Sequence, residues 1–230
     1  MARRFFIAGT DTGVGKSFVA AALLQAANQR GLRSCGLKPL AAGADDTVDG
    51  PRNDDALLLQ QHASVKLPYA QINPVLLQEA IAPHLAAAHE RRQLSAERLA
   101  GFCRGAMMTP CDLMLVEGAG GWRVPLNGRE MLSELPRRLQ LPVILVVGMR
   151  LGCLNHALLT AEAIAADGVP LAGWVANRVD PELRCFDENL ATLQGLIRAP
   201  LLGVIPHQRS PNPVDAAQFL VEKLDLLLAK

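Results

Sequence analysis

The sequence predicts an α/β fold: a three-layer α/β/α sandwich around a mainly parallel sheet, formed by residues 1–230 as one domain. Two observations carry that expectation. Continuous apolar runs such as Leu141-Pro142-Val143-Ile144-Leu145-Val146-Val147-Gly148 alternate with helical patterns. Strands without polar alternation are covered on both faces, as the strands of parallel sheets are. The first such run, Phe5-Phe6-Ile7-Ala8, leads into Gly9-Thr10-Asp11-Thr12-Gly13-Val14-Gly15-Lys16-Ser17, and a helical pattern leads out. Strand, glycine-rich turn, Lys-Ser and helix is the arrangement that wraps backbone N–H groups around a polyphosphate.

The remaining elements follow in order. Residues 18–30 are Ala/Leu-rich and helical, with Gly31 as the C-terminal stop. Ser34-Cys35-Gly36-Leu37-Lys38 forms a short strand closed by Pro39, and residues 41–53, small, polar and acidic, form a surface loop. Asn53 or Asp54 caps a helix through residues 56–62. Residues 63–93 show little pattern beyond a short helix over 83–91, and Ser95 caps a helix to about Met107. Residues 112–117 and 141–148 are buried strands. A helix over 155–166, a strand over 171–177, a helix over 181–197, a strand over 201–205 and a terminal helix over 214–228 complete the chain.

Composition narrows the function classes. With 50% hydrophobic and 20% charged residues the chain can bury a sizeable core, and a net charge of +1 argues against nucleic acid or an anionic membrane as partner. Cys35, Cys103, Cys111, Cys153 and Cys185 are odd in number and lack a C-x-x-C pair, which fits reduced thiols better than disulfides or a zinc site. The apolar run after Arg3-Arg4 is too short for a signal core, and no segment has the roughly 20 apolar residues of a membrane span. A soluble, cytoplasmic protein is expected.

Ligands of such sheets gather at the carboxyl ends of the strands, and several unusual residues stand there. Lys16 would reach the outer phosphates and the Ser17 hydroxyl would take Mg²⁺. Glu117, after Leu-Met-Leu-Val and before Gly118-Ala119-Gly120-Gly121, resembles the acid that helps hold Mg²⁺ in phosphate-loop NTPases. Mg²⁺ takes few protein oxygens, so Ser17, Glu117 and one of Asp54 and Asp55 suffice. Lys38 is a second cation, suited to a transferred phosphoryl group and an anionic acceptor. The alternative is an ordinary lysine whose head reaches solvent. Asn177 can donate and accept, which suits an adenine edge, or it caps the turn before Asp180-Pro181. His62, His84, His89, His156 and His207 have no metal-ligand spacing, and Cys153 reads as a packing residue.

Six stretches occur in series: the phosphate loop, Gly36-Leu37-Lys38-Pro39, Arg52-Asn53-Asp54-Asp55-Ala56, Val116-Glu117-Gly118-Ala119-Gly120-Gly121, Leu151-Gly152-Cys153-Leu154-Asn155-His156 and Gly173-Trp174-Val175-Ala176-Asn177. Together they resemble the dethiobiotin synthetase family over nearly the whole chain. The resemblance implies a P-loop NTPase fold and a Mg·ATP-dependent ring closure. One amine of 7,8-diaminononanoate captures CO₂, supplied by bicarbonate, as a carbamate. The γ-phosphoryl group of ATP then gives a carbamic–phosphoric anhydride, and the second amine closes the cyclic urea.

The same resemblance implies roles. Lys16 and Lys38 hold carbamate and γ-phosphate, Thr12 lies near the carbamate, and Ser17, Asp55 and Glu117 hold Mg²⁺. ATP is further held by Gly13, Val14, Gly15, Phe18, Gly118, Ala119 and Gly120, with its adenine at Asn177, Arg178, Pro206, His207 and Gln208. Gly152, Cys153 and Asn155 bind the substrate carboxylate at a homodimer interface, an anion at a helix N-terminus.

Three positions depart from the family pattern. Ala42 replaces the serine of Lys-Pro-x-x-Ser-Gly, Gly13 stands where Glu is frequent, and Asn189 aligns loosely with a partner-subunit tyrosine. Two rivals are disfavoured. Cobyrinic acid amidating enzymes carry a glutamine amidotransferase domain for which 230 residues leave no room, and ParA/MinD-like switches carry an early loop lysine where this chain has Asp11. The missing hydroxyl at Ala42 is expected to raise KM for the diamine. In steady-state kinetics Ala42→Ser should lower that KM at nearly constant kcat, and an unchanged KM counts against a contact there.

Overall fold

The computed structural model describes residues 2–228. Strand β1 (Arg3–Gly9) has an apolar half buried on both faces, and the glycine-rich loop carries it into α1 (Lys16–Gln29). Next come β2 (Ser34–Leu37), β3 (Leu40–Ala42), β4 (Asp45–Thr47) and β5 (Gly50–Arg52). The stretch expected to be a loop is therefore structured: β4 and β5 pair antiparallel as an exposed hairpin. Asn53 ties its base by donating Nδ2–H to the Gly43 carbonyl, 2.9 Å, and its Oδ1 caps α2 (Asp54–His62).

Helix α3 (Tyr69–Ile72) and strand β6 (Val75–Leu77) occupy the stretch that showed little pattern, and β6 pairs parallel with β3. After α4 (Pro83–His89), Ser95 caps α5 (Ala96–Ala106) as expected. Then follow β7 (Leu113–Glu117), α6 (Glu134–Leu139), β8 (Val143–Gly148), α7 (Cys153–Ala166) and β9 (Leu171–Asn177). Helix α8 (Phe186–Leu196) begins five residues later than the pattern indicated, behind Cys185 at φ 52°. Beyond β10 (Leu201–Ile205), the expected long terminal helix is broken into α9 (Pro213–Ala216), two 3₁₀ turns and α10 (Leu224–Leu228).

Six strands form one parallel sheet in the order β10-β9-β8-β1-β7-β2. Alternation along each strand divides the core. Phe6, Ala8, Met114, Val116, Leu145 and Val147 pack into one layer, and Phe5, Ile7, Leu115, Ile144 and Val146 into the other with α1, α9 and α10. This is the expected three-layer sandwich. Among the described residues no helix is long and apolar enough to cross a membrane.

The break in the terminal helix coincides with a close contact to β10. The chain lays the Phe219 carbonyl against Gly203 of β10, where a Cβ would stand 2.2 Å from the oxygen. Gly203→Ala should cost about 2 kcal/mol, a melting temperature lower by about 4–8 °C. An unchanged melting temperature in calorimetry would show that the segment gives way freely.

Candidate functional site

The loop between β1 and α1 turns on Gly13 and Gly15, at φ 73° and 84°, conformations that L side chains rarely adopt. Gly15 caps α1, so the positive end of the helix opens at the loop. Val14 turns its side chain into the core, and its carbonyl accepts from Asn177 Nδ2 at 2.9 Å. Asp11 closes the entry: Oδ1 accepts from the Thr12 N–H at 2.7 Å and Oδ2 from Arg150 at 2.5 Å. Lys16, nearly buried, folds its ammonium back onto the Asp11 carbonyl at 3.0 Å. Burial first, and the neighbouring Lys38 second, lower its pKa to about 8.

Lys38 and Glu117 follow the paired residues Leu37 and Val116, so adjacent strand ends deliver them side by side. The Lys38 ammonium, 3% exposed, lies 2.6 Å from Glu117 Oε1, 2.8 Å from Asp55 Oδ2 and 3.1 Å from the Gly118 carbonyl. Asp55 comes from the first turn of α2, and Ser17 donates to Glu117 Oε1 at 2.8 Å. Burial opposes the Lys38 charge, but Glu117 and Asp55 outweigh it and hold the ammonium above the ordinary lysine value. Burial also holds Glu117 above the usual carboxylate range, partly offset by Lys38. For Asp55 the burial penalty is overcome by Lys38, and its pKa is lowered. Asn73, which the sequence reading missed, fixes the Lys38 backbone by donating to its carbonyl at 2.6 Å. The turn signal of Asn73-Pro74 is the one trace of it in the sequence.

The cluster fits a hard divalent cation. Glu117 Oε2 is buried without a hydrogen-bond partner, beside the Ser17 hydroxyl and the Asp55 carboxylate. Among the described residues no group of three His, Cys, Asp or Glu could hold a metal. A cation here would draw on two carboxylates, a hydroxyl and ligand or water oxygens, the donor set that Mg²⁺ favours.

One cleft of about 870 Å³ unites half of the expected residues: Thr12, Gly13, Gly15, Lys16, Ser17, Phe18, Lys38, Ala42, Asp55, Ala119 and Gly120 line it, whereas Val14, Glu117 and Gly118 do not. Others stand apart from it. Gly152, at φ 93°, caps α7 with Cys153 buried and Asn155 exposed, and none of the three lines the cleft of its own chain. Asn177 lies behind the loop. Arg178 donates its N–H to the Ile205 carbonyl at 2.9 Å, which sets it beside Pro206, His207 and Gln208 at the end of β10, again outside the cleft. The Asn189 amide bonds the Cys185 carbonyl at the start of its own helix, 2.8 Å. Unforeseen in the sequence is a clamp on the cleft wall: Arg123 grips Asp167 through both Nη atoms at 2.6 and 3.0 Å, and the Trp122 indole donates to the same carboxylate.

Comparisons with known proteins identify the family and the fold. A family model described as an AAA domain matches residues 3–214. The ATP-dependent dethiobiotin synthetase BioD of Cellvibrio japonicus is 56% identical over 225 residues, 98% of this chain and 98% of that protein. BioD of Pseudomonas aeruginosa strain UCBPP-PA14 is 54% identical, covering 94% and 95%, and that of Yersinia pestis bv. Antiqua 47% identical, covering 100% and 96%. Among solved structures, the septum site-determining protein MinD of Pyrococcus horikoshii, complexed with Mg-ADP, superposes with a TM-score of 0.60 at 19% identity, covering 100% of this chain and 98% of that one. A MinC:MinD complex from Aquifex aeolicus gives 0.62 at 15%, covering 100% and 96%. The structural neighbours establish a P-loop NTPase fold and no more. The full-length relatives establish the rest: this chain belongs to the ATP-dependent dethiobiotin synthetase family.

Proposed function

We propose that this ligase closes a cyclic urea from 7,8-diaminononanoate and CO₂ at the expense of Mg·ATP, releasing ADP and phosphate. The observation that carries the reading is the convergence of Lys16 and Lys38, from different strand ends, on one cleft with Ser17 and Asp55, with Glu117 buried against Lys38 and Ser17. A carbamate and a terminal phosphate are both anions, and they must approach within bonding distance. Fixed cations already desolvated in the cleft offset that repulsion without reorganising during the reaction.

The bonds balance as follows. One amine attacks CO₂, forms a C–N bond and loses a proton. A carbamate oxygen attacks the γ-phosphorus, and the bond to ADP breaks. The second amine attacks the carbamoyl carbon, which expels phosphate and closes the ring with loss of a second proton. The loop N–H groups and Lys16 hold the outer phosphates, while Lys38 faces the carbamate and the transferred group. Thr12, at the exposed edge of the cleft, orients the carbamate. Ser17, Asp55 and Glu117 would hold Mg²⁺, whose charge neutralises the polyphosphate. Asn177, Arg178, Pro206, His207 and Gln208 serve the adenine.

The partner copy completes the site in this reading. Helix α7 buries only Cys153, Ala157 and Ile164, while Leu151 and Leu159 are 91% and 58% exposed. A second chain covering that apolar face as a homodimer would carry the Gly152–Asn155 turn, with its helix N-terminus, to the neighbour's substrate carboxylate. The enzyme would work in the cytoplasm.

Phosphate release from Mg·ATP should require both 7,8-diaminononanoate and bicarbonate, with a cyclic urea detected by mass. Hydrolysis indifferent to the diamine overturns the assignment. Lys38→Ala should lower kcat by about 10²-fold or more while Mg·ATP still binds. Because Ala removes the donor as well as the charge that Asp55 and Glu117 share, Lys38→Gln, which keeps an N–H donor, serves as companion, with the melting temperature of both. Wild-type turnover in either folded variant removes Lys38 from the chemistry.

A further inference from the structure

We infer that Asn177 is a positioning residue of the phosphate loop itself, in addition to any contact with the base; this deepens the nucleotide reading above and rests on it. The side chain is 6% exposed and its Nδ2 donates to the Val14 carbonyl at 2.9 Å, a buried bond between residues 163 apart in sequence. That carbonyl belongs to the same planar peptide as the Gly15 N–H, and in a trans peptide the two point in opposite directions. Holding the carbonyl against Asn177 therefore turns the Gly15 N–H away from it, and Gly15 lines the cleft.

The need for such a hold follows from the residue on the far side of the peptide. Gly15 sits at φ 84° and, as glycine, allows its peptide to rotate over a wide range at small cost. The geometry leaves no choice of side chain either: a Cβ on Gly15 would stand 2.3 Å from Asn177 Nδ2. Gly15 and Asn177 thus form a matched pair. The glycine makes room, and the amide fixes the peptide that the glycine leaves loose. Loss of the amide would leave the Val14 carbonyl buried without its partner and let the Gly15 N–H swing from the phosphate position.

A base contact and a loop contact predict different losses across ligands. Calorimetric titration of wild type, Asn177→Ala and Asn177→Leu with Mg·tripolyphosphate, Mg·ATP and Mg·GTP separates them. Leu keeps nearly the shape of Asn, removes the donor and adds no charge, and it carries the test if the alanine variant fails to fold. The expected result is a weakening of about tenfold or more for all three ligands alike, in folded variants whose melting temperature falls by a few degrees for the unpaired Val14 carbonyl. A loss confined to Mg·ATP, with Mg·tripolyphosphate and Mg·GTP bound as by wild type, overturns the inference and leaves Asn177 a base contact only. Wild-type protein that binds none of the three overturns the nucleotide reading on which it rests.

Discussion

Glu117 is completely buried at the end of β7, and its burial is tolerable because the Lys38 ammonium lies 2.6 Å away on the next strand. Neither charge could stay there alone. An uncompensated buried ion typically costs about 3–5 kcal/mol, a large share of a domain's whole stability. The pair therefore locks the ends of β2 and β7 in register and draws the first turn of α2 inward through Asp55. The site's charges are thus fixed by folding rather than by ligand. Lys16 lies beside this cluster, where burial and the Lys38 charge both disfavour its own.

The parts of the molecule that local sequence determines were legible in advance. Buried strands announce themselves by unbroken apolar runs, the phosphate loop by its glycines and Lys-Ser, and the caps of α2 and α5 by Asn53 and Ser95. Strands of three residues are too short to show a period, so β3, β6 and the β4–β5 hairpin leave no signal in the sequence. The terminal helix had the right pattern, and its break coincides with the contact at Gly203, in another part of the chain.

The functional cluster shows the same division. Sequence placed Lys38 and Glu117 at strand ends, yet it did not make them neighbours, because strand order is not a local property. Lys38 accordingly reads from sequence as a cation facing ligand anions, whereas in the folded chain two carboxylates already share it. Asn177 likewise reads as a base contact because its partner, Val14, is 163 residues distant.

Glycine-rich phosphate loops combine two demands that oppose each other: glycines permit the required backbone, and the same freedom blurs it. Here the fixing groups come from the strands next in the sheet. Arg150, just past β8, takes one oxygen of Asp11, whose other oxygen holds the Thr12 N–H. Asn177, at the end of β9, takes the Val14 carbonyl. The Arg150 pairing also answers an electrostatic difficulty, since a carboxylate inside an anion-binding loop repels the ligand unless a cation offsets it. MinD-like proteins share this fold at 14–20% identity, so the backbone alone does not distinguish a ligase from a switch. The distinction comes from the full-length relatives, and in this chain Asp11 and Asn177 are engaged with the loop.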